Sequence, residues 1–355
     1  MSRCRSALTS KCMTTAIITN PAQAAHDEPR HVERAARMRA IERALDTSGL
    51  RPTLTPIAAR HATEAEIRAV HHPRLIEMLN LSTAQERLWI DSDTYTTSES
   101  LIAAKLGAGA AIEAVQAVVR QRVQNAFVLT RPPGHHATIT RSMGFCLINN
   151  IAIAARYATQ TLGLARVAIV DYDVHHGNGT QDIFYDDPRV LFCSTHAAPL
   201  YPGTGTEHEI GNGPGHGTTL NLPLPYNTGD QGFAQLYDQI VIPALRRFQP
   251  ELILISAGYD AHWNDPIGPL SLSVSGYAAL TSRLYDLAAE ICDGRIALIL
   301  EGGYNEEALG ACVVACFGVL LGRAIEPDPL GPAGTREPNL QALIERTRRQ
   351  HPLLV

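Results

Sequence analysis

Aromatic residues are scarce: seven Phe, eleven Tyr and two Trp make up 6% of 355 residues. The core must therefore be built mainly from Ala, Val, Ile and Leu. No sign of charge dominates either. Thirty Lys+Arg stand against thirty-five Asp+Glu, a net charge of −5, which gives no global electrostatic reason to expect nucleic acid or an acidic membrane as partner. No apolar run approaches the roughly 20 residues that span a bilayer. The cysteines (Cys4, Cys12, Cys146, Cys193, Cys292, Cys312, Cys316) are odd in number and scattered, with no CxxC pair. That argues against a disulfide framework or a cysteine zinc site. Cys312 and Cys316, four apart in an apolar stretch, read as one buried helix face. Residues 1–12 are basic and Ser-rich but lack an apolar h-region, so they do not read as a signal peptide. They read as a disordered extension or an over-called start, with the folded domain over 13–355. At 45% hydrophobic and 18% charged, the chain has an ordinary globular composition and reads as intracellular.

Apolar β-rich runs alternate with helical patterns, which predicts an α/β class with a mostly parallel sheet and helices on both faces. Strands are expected at 16–19, 126–130, 167–170, 190–194, 219–222, 252–256 and 296–300. Helices are expected at 34–46, 148–162, 232–248, 275–291 and 306–321. A long helix also precedes the second strand: Thr96 with Glu99 reads as a capping box, and Ile102, Leu106, Ile112, Val115 and Val119 fall on one face. Gly109 lies on that face, where a neighbouring element could approach closely. No repeat or linker divides the chain, which reads as one domain. Two loops stand out. Residues 201–217 hold six glycines and two prolines, and residues 131–143 hold two consecutive prolines; long loops of this kind are where function concentrates.

Half of the fourteen histidines lie between 135 and 216, four of them in the pairs His135-His136 and His175-His176. Four apolar strands each end in a burst of titratable residues with glycine: Arg-Pro-Pro-Gly-His-His at 131–136, Asp-Tyr-Asp-Val-His-His-Gly-Asn-Gly at 171–179, Gly-Tyr-Asp at 258–260 and Glu-Gly-Gly-Tyr at 301–304. In a parallel sheet these carboxyl ends face one crevice. Asp173 and His175 are two apart, so in extended chain they point to the same side, and Asp260 can complete a carboxylate–imidazole–carboxylate set. Three ligands with one open position suit a catalytic zinc. Two carboxylates formally cancel a divalent ion, so its water is less acidified than in a three-histidine site and needs a separate base. His135-His136 supplies a base and a second imidazole, and Tyr304 a hydroxyl for a developing oxyanion. Such a set suits amide hydrolysis. Asp171 reads as orienting His135 and holding a monovalent cation with backbone carbonyls.

Other residues have plainer readings. His71-His72 lies outside any glycine-rich strand end and reads as structural, as does His176, which points away from His175. His196, His208 and His216 read as solvated or locally hydrogen-bonded, and Cys146 and Cys193 as small core residues.

The stretches 131–137 (RPPGHHA), 144–150 (GFCLINN), 171–181 (DYDVHHGNGTQ), 201–205 (YPGTG), 258–268 (GYDAHWNDPIG) and 301–305 (EGGYN) resemble the zinc-dependent histone deacetylase family, and within it the class II branch and bacterial deacetylase-like amidohydrolases. The likeness runs from about His31 to about Leu321. It implies the arginase/deacetylase fold, a deacetylase-like catalytic domain over 13–355, one zinc ion per chain, structural potassium, and an acylated amine substrate such as acetyl-lysine. By position, Asp173, His175 and Asp260 resemble the zinc ligands, His135 and His136 the acid/base pair and Tyr304 the carbonyl-polarising residue. Phe145 and Tyr201 resemble tunnel walls, and Gly144 the backbone carbonyl near the substrate amide. Asp171, Asp173, His175, Ser194 and Thr195 match an inner potassium site, and Phe184, Asp187 and Val190 an outer one. Arg34 resembles the arginine at the base of an internal cavity that takes acetate. Asn178 stands where class I members carry an aspartate; an uncharged partner leaves His136 neutral, as a base should be. Ile267 replaces the acidic gatekeeper of polyamine-deacetylating relatives, and an apolar side chain cannot select a second ammonium group.

Three alternatives stay open at this level: an acetylpolyamine amidohydrolase, an arginase-type two-metal ureohydrolase, and a module that binds acylated ligands without turnover. Neither the preferred acyl length nor the oligomeric state is legible in the sequence.

Overall fold

The computed structural model describes residues 14–355; Cys4, Cys12 and the extension expected over 1–12 lie outside the described residues. Ten strands occur along the described chain: β1 (Thr15–Thr19), β2 (Thr55–Ala58), β3 (Arg87–Trp89), β4 (Tyr95–Thr97), β5 (Asn125–Leu129), β6 (Val167–Asp171), β7 (Val190–Ala197), β8 (Thr219–Leu224), β9 (Ile253–Ala257) and β10 (Ile296–Leu300). Eight of them form one sheet in the order β2-β1-β5-β10-β9-β6-β7-β8, parallel throughout. β3 and β4 form a separate antiparallel hairpin.

The central strands read Asn-Ala-Phe-Val-Leu, Val-Ala-Ile-Val-Asp, Ile-Leu-Ile-Ser-Ala and Ile-Ala-Leu-Ile-Leu, and every residue in them is buried. Runs apolar on both faces are what a sheet covered on both sides requires. Alternate residues feed two cores. Phe127, Val170, Ile255 and Leu298 pack toward α1 (Ala36–Thr47), α9 (Val274–Ile291) and α10 (Glu306–Leu320). Val128, Ile169, Leu254 and Ile299 pack toward α4 (Ser100–Val119) and α5 (Asn150–Gln160). The intervening α2 (Glu64–Arg68) and α3 (Pro73–Ser82) lie before α4; α6 (Asn178–Phe184), α7 (Asp230–Leu236) and α8 (Ile242–Phe248) follow α5, and α11 (Gln341–Gln350) closes the chain.

Several expectations need correction. α4 is a 20-residue helix apolar enough to cross a membrane by length and composition, so such a run does exist; here it is mostly buried against the sheet. Its cap is not Thr96–Glu99. Thr96 belongs to β4, and Ser100 Oγ instead accepts from Thr97 N at 2.7 Å. Ile102 is exposed, so the buried stripe runs through Ala104, Ala108, Ile112 and Val115. The helix expected at 232–248 is broken by one π turn over Tyr237–Val241. Gly109 does permit close approach: a Cβ there would lie 1.8 Å from Arg60 O. Cys312 and Cys316 are buried and free on α10, as the apolar spacing implied.

Candidate active site and metal centre

β5, β10, β9 and β6 are consecutive in the sheet, so their four polar strand ends open into one crevice. Glycine makes the convergence possible. A Cβ on Gly258 would sit 2.0 Å from Asp173 Oδ2, and one on Gly302 would sit 2.2 Å from Asp260 Oδ2.

Asp173, His175 and Asp260 are all buried, and one ligand atom of each lies within 4.8 Å of the other two. His175 Nδ1 is 3.1 Å from Asp173 Oδ1 and 3.3 Å from Asp260 Oδ2. Tetrahedral bonds of 2.0–2.2 Å would set ligand atoms about 3.3–3.6 Å apart, so the spacing fits a divalent ion. The remaining oxygens are fixed by the backbone: Asp173 Oδ2 accepts from Gly302 N at 2.9 Å, and Asp260 Oδ1 accepts from Val174 N at 2.8 Å. Asp260 Oδ2 is buried without a hydrogen-bond partner, which would be costly unless it binds something. Two carboxylates and an imidazole suit zinc or iron.

The rings of His135 and His136 lie 4.0 Å apart with different partners. His135 Nδ1 is 3.0 Å from Asp171 Oδ2. Burial alone would lower the His135 pKa, but the carboxylates of Asp173 and Asp171 outweigh it and hold the ring well above its usual value. Burial raises Asp171 to about 6 against the pull of His135. His136 Nδ1 is 2.7 Å from Asn178 Oδ1, at the start of α6. Burial first, then the neighbouring imidazoles, push His136 well below its usual range. With Nδ1–H donating to Asn178 Oδ1, the neutral form of the ring would carry its lone pair on Nε2.

Tyr304 follows the Gly302-Gly303 turn. Burial raises its hydroxyl well above the ordinary tyrosine pKa, with Arg37 opposing and Asp260 and Asp173 reinforcing, so it remains a donor. Phe145 packs edge-on against Tyr304 at 5.7 Å between ring centroids and against His31 at 4.7 Å. Tyr201 packs edge-on against His136 at 5.1 Å. A Cβ on Gly144 would lie 2.4 Å from His136 Cδ2, so that backbone runs directly over the ring. Tyr201 and Gly144 thus border His136, and Phe145 borders Tyr304.

Arg34 does not sit at the base of an internal cavity. Its side chain is 43% exposed and paired with Glu306 at 2.9 Å. One helical turn on, Arg37 is fully buried, donating to Gly303 O at 2.7 Å and Glu301 O at 2.6 Å, with Cζ 4.8 Å from the Tyr304 ring centroid. α1 begins at Ala36 and turns its 37, 41 and 45 positions inward, which is why Arg37 and not Arg34 reaches the turn before Tyr304. Sequence reasoning also missed Glu301, whose Oε2 accepts from Gly134 N at 2.6 Å and His135 N at 3.1 Å and whose carboxyl burial lifts to about 7. His31, Trp89 and Tyr95 were missed as well; they form an aromatic cluster beside Phe145. Glu301 was visible within its motif, but the hairpin residues carried no local signal.

Ser194 Oγ is 2.9 Å from His196 Nδ1, and Thr195 Oγ1 donates to Asp171 O at 3.3 Å. Phe184 O and Asp187 O accept backbone bonds, and the Asp187 carboxylate is taken by Arg156 and Arg189. Ile267 donates its N–H to Asp265 Oδ1 at 3.1 Å. His196 is buried, its Nε2 2.9 Å from Gly205 O, whereas His208 and His216 are exposed. His176 sits between Thr204 and Gln181. His71 is buried, Nδ1 donating to Thr138 O, and His72 caps α3.

Fold and site together define an α/β protein with a buried carboxylate–imidazole–carboxylate group that could hold a metal ion, beside a histidine pair and a tyrosine. The Histone deacetylase domain matches residues 31–320, and this chain belongs to the histone deacetylase family. Over 271 residues it is 45% identical to Histone deacetylase 10, chloroplastic, of Oryza sativa subsp. japonica, covering 73% of this chain and 61% of that one. Histone deacetylase 14, chloroplastic, of Arabidopsis thaliana is 43% identical over 316 residues, 84% of this chain and 74% of its own. A probable deacetylase of Archaeoglobus fulgidus is 40% identical over 315 residues, 88% and 87% of the two chains. The crystal structure of the HDA15 HD domain superposes with a TM-score of 0.86 at 36% identity, covering 97% of this chain and 96% of that one.

Proposed function

We propose that this chain is a metal-dependent deacetylase that hydrolyses a short acyl amide on a primary amine, with acetyl-lysine-like side chains as the leading substrate class. The observation that supports the reading is the difference between the two histidines: His135 Nδ1 lies 3.0 Å from the carboxylate of Asp171, whereas His136 Nδ1 lies 2.7 Å from the uncharged amide oxygen of Asn178.

Asp173, His175 and Asp260 would hold the ion, zinc or iron, which when bound supplies Lewis acidity toward the acyl carbonyl and acidifies water. Everything else falls to this chain's own groups. Phe145 and Tyr201 flank a narrow approach and exclude solvent. His136 Nε2 takes the proton of the attacking water. Tyr304 donates its hydroxyl to the carbonyl oxygen as negative charge grows there. The leaving amine then receives a proton from the histidine pair, with His135 held in place by Asp171. Asp171, Ser194 and Thr195, with Asp173 and His175, are the proposed inner potassium site, and the carbonyls of Phe184, Asp187 and Val190 the outer one.

A second reading, an acylated polyamine substrate, is favoured by the carboxylates of Asp91 and Asp93. Thr94 Oγ1 accepts from Phe145 N at 3.2 Å and lies 3.1 Å from Asp93 Oδ1, which puts negative charge beside the approach that Ile267 does not supply. Acetylspermidine and an acetyl-lysine peptide compared at equal concentration separate the two readings.

The deciding variants are Tyr304→Phe and His136→Ala, assayed on a fluorogenic acetyl-lysine amide with zinc per chain measured alongside. Both should retain metal and lose about 10²-fold or more in kcat. Full activity in either refutes the mechanism.

A further inference from the structure

Asp265 has no part in the chemistry above, yet it is buried in the loop after β9, and its two oxygens serve three backbone N–H groups. Oδ2 accepts from Tyr304 N at 2.6 Å and from Asn305 N at 3.1 Å; Oδ1 accepts from Ile267 N at 3.1 Å. The carbonyl of the same Gly303–Tyr304 peptide accepts from Arg37 Nε at 2.7 Å. That peptide plane is therefore held at its oxygen by a guanidinium, a charge-assisted bond, and at its N–H by a carboxyl oxygen. It needs such a grip. Gly303 lies at φ +112°, in a region few L residues enter, and neither Gly302 nor Gly303 has a side chain to anchor the turn. A second bond from the same loop, Asn305 Nδ2 to Asn264 O at 3.0 Å, ties the segment after the tyrosine to the residue preceding Asp265.

We infer that Asp265 is the positioning residue of Tyr304: by accepting from its backbone N–H it sets the direction in which the phenol leaves the chain. The inference rests on the role proposed for Tyr304. A tyrosine hydroxyl lies about 6.5 Å from its Cα, so a tilt of about 10° displaces it by about 1 Å, a misplacement that can cost on the order of 10²-fold in rate. Arg37 alone fixes the peptide at its oxygen and leaves its N–H end unheld, with only ring contacts from Arg37 and Phe145 to restrain the phenol. Asp265→Asn retains one acceptor oxygen but must turn its amide toward either Ile267 N or Tyr304 N, so it loses part of the grip. Asp265→Ala loses all of it.

The test is a double-mutant cycle. Asp265→Asn and Asp265→Ala are made in the wild type and in Tyr304→Phe, and kcat, KM and zinc per chain are measured on a fluorogenic acetyl-lysine amide. In the wild type, kcat should fall about 10- to 100-fold with KM within about threefold and zinc unchanged. In Tyr304→Phe the same substitutions should change kcat by less than about twofold, because the group being positioned is gone. Equal losses in both backgrounds, or a loss carried by KM, overturn the inference, since a merely structural residue would act additively. Full activity in Tyr304→Phe alone is a different failure, removing the proposed role of the tyrosine and this inference with it. If Asp265→Ala does not fold, the milder Asp265→Asn reads the same cycle.

Discussion

Replacing Glu33 with glutamine should destabilise the protein by about 3–5 kcal/mol at neutral pH. Glu33 is fully buried between two arginines. Arg131 reaches it twice, Nε to Oε1 at 2.6 Å and Nη2 to Oε2 at 2.7 Å, and Arg37 Nη1 reaches Oε1 at 3.0 Å. Arg131 opens the loop that carries His135 and His136, and Arg37 holds Glu301 O and Gly303 O, so the carboxylate joins the two halves of the site from beneath. Glutamine keeps the shape but turns an NH2 toward guanidinium donors and leaves two buried cations without a counter-charge, the situation in which breaking a buried pair is most costly. The pH dependence has a definite sign. Burial would raise the Glu33 pKa, but Arg131 and the hydrogen bonds outweigh it and hold the carboxyl well below its usual value of 4.5. Its contribution is therefore present above about pH 4.5 and lost as pH falls toward the folded value, by about 1.4 kcal/mol per unit. Urea unfolding with linear extrapolation, run on wild type and Glu33→Gln from pH 7 downward, measures the gap. A gap under about 1 kcal/mol at pH 7, or one indifferent to pH below 4.5, would refute the reasoning.

Gly258→Ala places a methyl 2.0 Å from Asp173 Oδ2, so metal affinity should fall at least about tenfold with the fold retained; metal per chain after dialysis against a weak chelator checks it. His71 is buried and burial lowers its pKa to about 4. Between pH 6.5 and 4 the unfolded chain takes up the proton first, so this residue should withdraw about 3 kcal/mol of stability across that window. His71→Gln, which cannot titrate, should show a shallower decline in its urea midpoint over the same pH range.

Strands buried on both faces were plain in the sequence because their signal is local: residues 296–300 match β10, and β6 and β9 differ from expectation by one residue. β2 was missed because Thr-Pro-Ile-Ala is a half-exposed edge with a proline, where neither alternation nor an apolar run develops. The β3–β4 hairpin was missed because its three-residue strands are too short for a period, although Trp89 and Tyr95 join the aromatic wall beside Phe145. Asp173, His175 and Asp260 could be brought together from strand ends alone, because a parallel sheet aligns its carboxyl termini. The arginine beneath the tyrosine could not be chosen that way. Arg34 and Arg37 differ by one helical turn, and only the start of α1 at Ala36 shows which faces inward. Long-range anchors such as Asp265 to Tyr304 leave no trace at any sequence spacing.

The most direct measurement is zinc content and affinity, by elemental analysis and competition with a chromogenic chelator, for wild type and Asp260→Ala at pH 7. One tightly bound ion per wild-type chain, and loss of that tight site in a variant that remains folded, is the expected result. Wild-type protein that takes up no ion at saturating zinc, or Asp260→Ala that binds it as tightly as wild type, would contradict the assignment of Asp173, His175 and Asp260 to a common metal.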